Sequence, residues 1–307
     1  MGDSSRQRGV IFAAMAFISW GLLPVYWKAL AAVPAPELLA HRIFWSLILV
    51  IIAITIRRGW GDIYKIVQSR PSIFYLLATS VLIAINWFVF IWAVTNGFIL
   101  ESSLGYFINP IFNILLGYVF LGERLRRFQI PAVVLALVGV LNLTISAGRF
   151  PWIALSLAGS FGVYGLLRKK VAAGALTGLA FETAILSIPS AGYLIFCEIN
   201  GVAALGHINF VTDILLIGAG IVTALPLLWF AYGVKRLTLA TVGFIQYLGP
   251  TGMFLLSVFV YKETFTATHL LTFILIWSGL MLYSIESFKN SQTNKANAAM
   301  LSRPTYR

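Results

Sequence analysis

Two segments of the chain, 140 residues apart, carry the same apolar pattern around a proline. Residues 102–124 read SSLGYFINPIFNILLGYVFLGER, and residues 242–264 read VGFIQYLGPTGMFLLSVFVYKET. At that offset six pairs of identical residues align in the sequence: Pro110 with Pro250, Leu115 with Leu255, Leu116 with Leu256, Glu123 with Glu263, Phe90 with Phe230, and Val94 with Val234. A membrane helix needs about 20 predominantly apolar residues, and both segments reach that length. We therefore expect two similar halves, each with a proline-kinked membrane helix.

The composition excludes the common soluble classes. The chain is 60% hydrophobic and 10% charged, whereas a soluble domain carries about 25% charged residues. The net charge of +12 suggests nucleic-acid binding at first sight, but the basic residues form short clusters between apolar runs. We expect a lipid bilayer and a small-molecule substrate as partners, and no nucleic acid. The single cysteine, Cys197, allows no intramolecular disulfide and is expected to pack as a small apolar residue.

The apolar runs predict an all-α polytopic membrane protein with ten transmembrane helices. Their approximate limits are 9–31, 37–56, 72–95, 102–121, 129–146, 151–167, 177–196, 214–232, 241–260 and 269–286. Arg6 and Arg8 precede the first run, which lacks a clear cleavage site of small residues. It is therefore interpreted as a retained helix, with a cleaved signal peptide as the alternative.

The basic residues predict the orientation. In a ten-helix arrangement, 18 of the 22 lie in segments on one side of the membrane. Lys and Arg favour cytoplasmic loops, so both termini are expected in the cytoplasm, as tails of residues 1–8 and 287–307. The helical halves are then residues 9–146 and 151–286. Because each half has five helices, the second half inserts upside down relative to the first, an arrangement typical of alternating-access transporters.

The fourth and ninth predicted helices carry stripes of polar or small residues. The first stripe, at spacings of three and four that share one helix face, is Ser102, Tyr106, Asn109, Asn113 and Gly117. The second and less polar stripe is Gln246, Gly249, Met253 and Ser257, with Tyr247 beside it. Such groups are costly in hydrocarbon unless they face each other or a solvated cavity. They predict either the wall of a substrate cavity or hydrogen bonds between helices.

Four further residues complete the expected cavity. Trp20 and Asn86, in the first and third helices, are candidates to line it, although membrane aromatics more often pack or form interfacial belts. Pro110 and Pro250 each remove a backbone donor and free a carbonyl. They predict either gating hinges or fixed kinks.

Two charged residues lie inside predicted helices, at equivalent positions of the two halves. Arg42 and Glu182 are candidates for a functional role because intramembrane charges are costly. Inversion places them on the order of 15 Å apart across a core of about 30 Å, so we expect two separate sites and no ion pair between them. Glu182 is the best candidate to carry a coupling proton, and Arg42 has interfacial snorkelling as its alternative. The neighbouring His41 is expected to be a packed or interfacial residue.

Other functional classes fit poorly. Aspartates occur only in predicted tails and loops, and neither an HExxH nor a Walker A motif is present, so we predict no catalytic residues, no metal and no cofactor. A passive channel or facilitator stays open as the alternative to a carrier, because coupling is not written in a motif. A purely structural membrane protein is the remaining alternative.

The residues that carry these features resemble one known family. Residues 86–125, NWFVFIWAVTNGFILESSLGYFINPIFNILLGYVFLGERL, together with 20–30 and 243–263, resemble the RarD group of the EamA transporter family. The resemblance covers about residues 8–288. It implies ten helices as an inverted five-plus-five repeat, with a central cavity and peripheral fifth and tenth helices. It also implies an inner-membrane permease of the drug/metabolite type, exporting small molecules. The peripheral helices are candidates for a homodimer contact.

Overall fold

A computed structural model describes residues 3–122, 127, 129–147, 150–168, 170–171, 174–234, 236–237, 242 and 245–301. Within these ranges the regular structure is entirely helical. The helices are α1 (Asp3–Ala29), α2 (Ala35–Ile56), α3 (Trp60–Val67), α4 (Arg70–Thr95), α5 (Ile99–Leu121), α6 (Gln129–Ala147), α7 (Trp152–Arg168), α8 (Ala175–Ile199), α9 (Phe210–Val234), α10 (Leu248–Leu255) and α11 (Ala267–Leu301). One π-helical turn, Leu256–Val260, directly follows α10.

Most of the long helices have the length and apolar composition of membrane spans. Among the described residues, seven helices meet both criteria: α1, α2, α4, α5, α8, α9 and α11. Three apolar helices are shorter, namely α6, α7, and α10 with its π turn. Each of the ten predicted segments therefore contains an apolar helix.

The structure differs from the predicted limits most clearly at four places. Helix α1 begins at Asp3, inside the predicted N-terminal tail of residues 1–8. The short helix α3 lies in the second connection, where Trp60 and Tyr64 are exposed. In the ninth predicted segment, the described continuous helix begins at Leu248, after turn residues at Gln246 and Tyr247. Residues 241, 243 and 244 lie outside the described residues. The last helix continues to Leu301, into the predicted tail, because that stretch is rich in residues with high helix propensity such as Ala, Lys and Gln.

The helices pack in corresponding pairs. Helix α1 packs on α9 and α10. Helix α7, which lies 140 residues after α1 in the sequence, packs on α4 and α5. Helix α2 packs on α8, and α6 packs on α11. Small residues permit close approach, as is common in membrane bundles. A Cβ at Gly105 of α5 would lie 2.8 Å from the Ala154 carbonyl oxygen of α7, and one at Gly21 of α1 would lie 2.9 Å from the Gly249 carbonyl oxygen of α10.

Helices α6 and α11 form a pair at one edge of the bundle. The Asn142 side chain of α6 donates hydrogen bonds to the Thr268 carbonyl (3.2 Å) and the Thr272 hydroxyl (3.0 Å) of α11. Thr272 in turn donates to the Gly139 carbonyl at 3.2 Å. The polar groups of the pair thus face each other, and exposed side chains such as Leu137 leave its outer side apolar.

Candidate functional site

A buried arginine lies among the helices of the first half. Arg42, in α2, is 4% exposed. Its guanidinium carbon lies 4.2 Å from the ring centroid of Trp87 in α4 and 5.5 Å from that of Trp27 in α1. Its Nε and Nη1 atoms are buried and have no hydrogen-bond partner. We call Arg42, Trp27, Trp87 and the adjacent Asn86 and Tyr106 the arginine cluster.

The aromatic contacts do not balance the burial of this charge. A cation–π contact contributes about 2 kcal/mol when it is desolvated. Removing an ion from water costs several kcal/mol even after relaxation, and unpaired donors add to that cost. The arginine cluster therefore has unused capacity for a hydrogen-bond acceptor.

Asn86, which precedes Trp87 in α4, joins three helices. The Tyr106 hydroxyl of α5 donates to Asn86 Oδ1 at 3.3 Å. Asn86 Nδ2 donates to the Leu157 carbonyl (3.1 Å) and to Ser160 Oγ (3.0 Å), both in α7. Tyr106 also lies within electrostatic range of Arg42. The amide of Asn86 thus holds α4 against α7 and positions Tyr106 of α5.

The polar stripe of α5 divides between different environments. Asn109 is 8% exposed, and its Oδ1 is buried without a hydrogen-bond partner. Asn113 is exposed beside α7. Ser102 donates to the Phe98 carbonyl one turn earlier. Pro110 lies inside α5, where its missing N–H leaves the Tyr106 carbonyl without its usual helical donor.

The stripe near α10 is occupied in packing. Pro250 lies in the first turn of α10, where its missing N–H interrupts no hydrogen bond of that helix. The Ser103 hydroxyl of α5 donates to the Pro250 carbonyl at 2.9 Å. Tyr247 stacks on Phe107 with ring centroids 6.3 Å apart, and Gln246 is half-buried in the preceding turn.

Trp20 belongs to an aromatic group between α1 and α9. Its ring centroid lies 5.1 Å from that of Phe17 and 5.5 Å from that of Phe230. The structure therefore brings Arg42, Asn86 and Tyr106 together but gives Trp20 other neighbours.

Glu182 lies in a separate and well-paired network. It is 1% exposed. Thr79 of α4 donates to its Oε1 at 2.7 Å, and the Tyr164 hydroxyl of α7 donates to its Oε2 at 3.2 Å. Arg168 Nε lies 3.9 Å from Oε1. Arg168 lies one residue beyond the predicted helix limits of 151–167, yet it is the last residue of α7 and its side chain is only 14% exposed.

Two further carboxylates bind backbone groups, which the sequence pattern did not predict. Glu263 accepts hydrogen bonds from the backbone N–H groups of Ile99 (2.9 Å) and Leu100 (2.8 Å), and from the Ser257 hydroxyl (2.9 Å). The charge thus caps the N-terminus of α5, where the helix dipole favours an anion. The repeat partner of Glu263, Glu123, lies outside the described residues.

The other carboxylate is Glu37, at the start of α2. It is 1% exposed, and its Oε1 accepts a hydrogen bond from the Ala204 N–H at 2.6 Å. His41 Nε2 lies 3.8 Å from the same oxygen. His41 is buried, as expected for a packed residue, and it lines a pocket of about 220 Å³ between α2 and α8 together with Glu37 and Trp45.

The Asn86 contacts yield a stability prediction. Asn86→Ala removes three hydrogen bonds between helices, so we expect a loss of about 2 kcal/mol in the free energy of unfolding. Reversible unfolding of the purified protein in mixed detergent–SDS micelles measures it. Asn96→Ala is the matched control, because Asn96 is exposed at the end of the same helix and donates only to local groups, Trp92 O and Thr95 Oγ1. Equal losses in the two variants would contradict a positioning role for Asn86.

Comparisons with known proteins identify the family. Residues 7–145 match the EamA-like transporter family. The chain is 44% identical to "Protein RarD" of Escherichia coli (strain K12), over 96% of this chain and 100% of that protein. The chain belongs to the RarD group of the EamA-like transporter family.

Other relatives of the RarD group extend over similar lengths. "Uncharacterized transporter YojE" of Bacillus subtilis (strain 168) is 42% identical, over 97% of this chain and 100% of that protein. A solved crystal structure with 19% identity superposes with a TM-score of 0.58, over 90% of this chain and 97% of that chain. It supports the fold alone. Family membership and the apolar helices together make this a multi-pass membrane protein.

Proposed function

We propose that this RarD-group protein is an inner-membrane permease of the drug/metabolite transporter type. It exports a small neutral or zwitterionic metabolite or drug by alternating access. Ten helices form two inverted five-helix repeats around a central site, and both termini lie in the cytoplasm. The distribution of basic residues supports this orientation.

The corresponding helix contacts support the inverted repeat. At the offset of 140 residues, α1 corresponds to α7, α2 to α8, α4 to α9, and α5 to α10. The contact between α1 and α9 therefore has its counterpart in the contact between α7 and α4. The contact of α2 with α8 maps onto itself. Two halves related in this way can rock against each other around a fixed site.

One observation carries the proposal of alternating access: carboxylates of the second half contact the first half at two widely separated places, one within α4 and one just after its end. Glu182 accepts a hydrogen bond from Thr79. Glu263 caps the helix that follows Thr95, the last residue of α4. Thr79 and Thr95 are 16 positions apart, or about 24 Å along a helix. Two links separated by this distance suit a carrier that opens first on one side of the membrane and then on the other.

An untargeted comparison of extracellular metabolites tests the function. Strains overproduce the wild type, Arg42→Gln or Arg57→Gln, or carry an empty vector. We expect at least one compound to accumulate in the medium with the wild type and with Arg57→Gln, but not with Arg42→Gln. Arg57 is the matched control because it is exposed at the end of the same helix. No difference among the strains, with all variants inserted normally, would count against export.

A second measurement separates a carrier from a channel. Entry of the labelled compound is expected to be faster into proteoliposomes preloaded with the unlabelled compound than into empty ones, because a carrier returns to the outer side with a molecule bound. A passive channel would show no such acceleration and would replace the carrier in this proposal.

A further inference from the structure

We infer that the arginine cluster binds a single carboxylate of the transported solute, and that this solute also carries an N–H or O–H donor. The inference rests on the proposed function and specifies its substrate class.

The first argument is that the charge of Arg42 has no counter-ion within the described part of the chain. Its contacts are with the indole rings of Trp27 and Trp87, and two of its buried nitrogens make no hydrogen bond. The buried carboxylates of Glu182 and Glu37 are engaged elsewhere, by Thr79, Tyr164 and Arg168 in the first case and by the Ala204 N–H in the second. Neither of these two buried carboxylates is free to pair with Arg42, so a bound ligand can supply the missing anionic acceptor.

The second argument concerns the direction of approach. The guanidinium carbon of Arg42 lies over the ring of Trp87 at 4.2 Å and over that of Trp27 at 5.5 Å, and the N–H groups point outward in the guanidinium plane. A ligand that meets the N–H groups must approach in or near the guanidinium plane. A carboxylate is a planar acceptor that can pair with two coplanar guanidinium N–H groups at once, and a charge-assisted pair is about twice as strong as a neutral one.

The third argument concerns the rest of the solute. Asn109 lies one turn along α5 from Tyr106, and its buried Oδ1 is also unpartnered. An amide oxygen accepts a hydrogen bond and cannot donate one. One cation and one free acceptor thus suit a solute with one carboxylate and one donor, which includes the zwitterions of the proposed function. A dicarboxylate would bring a second charge with no partner.

Matched compounds test the carboxylate directly. Counterflow into proteoliposomes is measured for L-leucine, L-phenylalanine and L-serine, for the α-carboxamide of each, and for succinate. With the wild type and with Arg57→Gln we expect exchange of at least one acid, with its carboxamide and succinate at least tenfold weaker. Arg42→Gln is expected to abolish exchange of the acid, and Arg42→Lys to reduce it severely because the planar fork is lost.

A stability measurement provides a readout that a structural arginine would not give. Removing an unpaired buried charge is expected to leave the unfolding temperature of the ligand-free protein unchanged or higher, so Arg42→Met should be at least as stable as the wild type. A marked loss of stability in Arg42→Met would show that the chain itself uses the charge and would overturn the inference.

The outcomes separate this inference from the proposed function. Equal exchange of acids and carboxamides would overturn the carboxylate site and leave transport intact. If none of these compounds exchanges, the compound found in the extracellular comparison decides: a carboxylate on it supports the inference, and its absence overturns it. If neither experiment finds a transported compound, the inference and the proposed function fail together.

Discussion

Glu182→Leu is expected to lower the free energy of unfolding by about 3 kcal/mol, because it leaves the buried partners of the carboxylate unpaired. Arg168 loses its ion pair while its side chain is only 14% exposed. Thr79 and Tyr164 lose the acceptor of their hydroxyl groups. The value lies at the low end for a buried pair, because Arg168 is at the end of α7 and can turn toward solvent. Unfolding in mixed detergent–SDS micelles measures the loss.

Two controls separate the ion pair from the bulk of the side chain. The double variant Glu182→Gln with Arg168→Gln removes both charges and keeps the shape, so it is expected to recover most of the lost stability. Glu198→Leu removes an exposed carboxylate near the end of the same helix, 3.2 Å from His207, and is expected to cost less than about 1 kcal/mol. A double variant as unstable as Glu182→Leu would show that the Glu182–Arg168 pair is not what stabilises the network.

The helical architecture could be predicted from the sequence because membrane helices leave long apolar runs. The family and the helical class are confirmed. Each apolar segment contains a helix, and most observed limits lie within a few residues of those predicted. The short helix α3 was missed because its exposed aromatics and charges read as a loop.

The partners of the charged groups could not be predicted in the same way. Glu182 was found from its position inside an apolar run, but its partner Arg168 lies just beyond the predicted limits of 151–167, where a basic cluster begins. The repeat did indicate that Arg168 belongs to a helix, because it aligns at the offset of 140 with Lys28, the penultimate residue of α1. Contacts between distant helices, such as that of Thr79 with Glu182, depend on how each helix is rotated about its own axis. The periodicity of the sequence does not determine that rotation.

The role of Glu263 shows a second limit of the sequence. A glutamate at a helix end is most simply solvated, and the sequence contains no sign of the helix it caps. The one available hint was that both halves keep a glutamate at this position, Glu123 and Glu263. Only the folded chain brings Glu263 to the first turn of α5, 163 and 164 positions away.

Glu263→Gln is expected to open the end of the bundle that carries the turn between α4 and α5. The carboxylate accepts hydrogen bonds from two N–H groups of α5 and from Ser257. Glutamine has one carbonyl oxygen and no charge, so the variant loses about 2 kcal/mol of capping and dipole stabilisation. If this contact holds the closed form, the population of the open form should rise roughly thirtyfold.

The rate of cysteine labelling measures that population. In a Cys197→Ala background, Ser103→Cys introduces a thiol at a fully buried site between α5 and α10. Intact spheroplasts are treated with a membrane-impermeant maleimide, and labelling with Glu263→Gln is expected to exceed that of the parent severalfold or more. Glu198→Gln, an exposed change on the same proposed side, should leave the rate unchanged. An unchanged rate with Glu263→Gln, accompanied by a lower unfolding temperature, would make the cap a static part of the fold. In that case opening would have to involve contacts other than the one between Glu263 and α5.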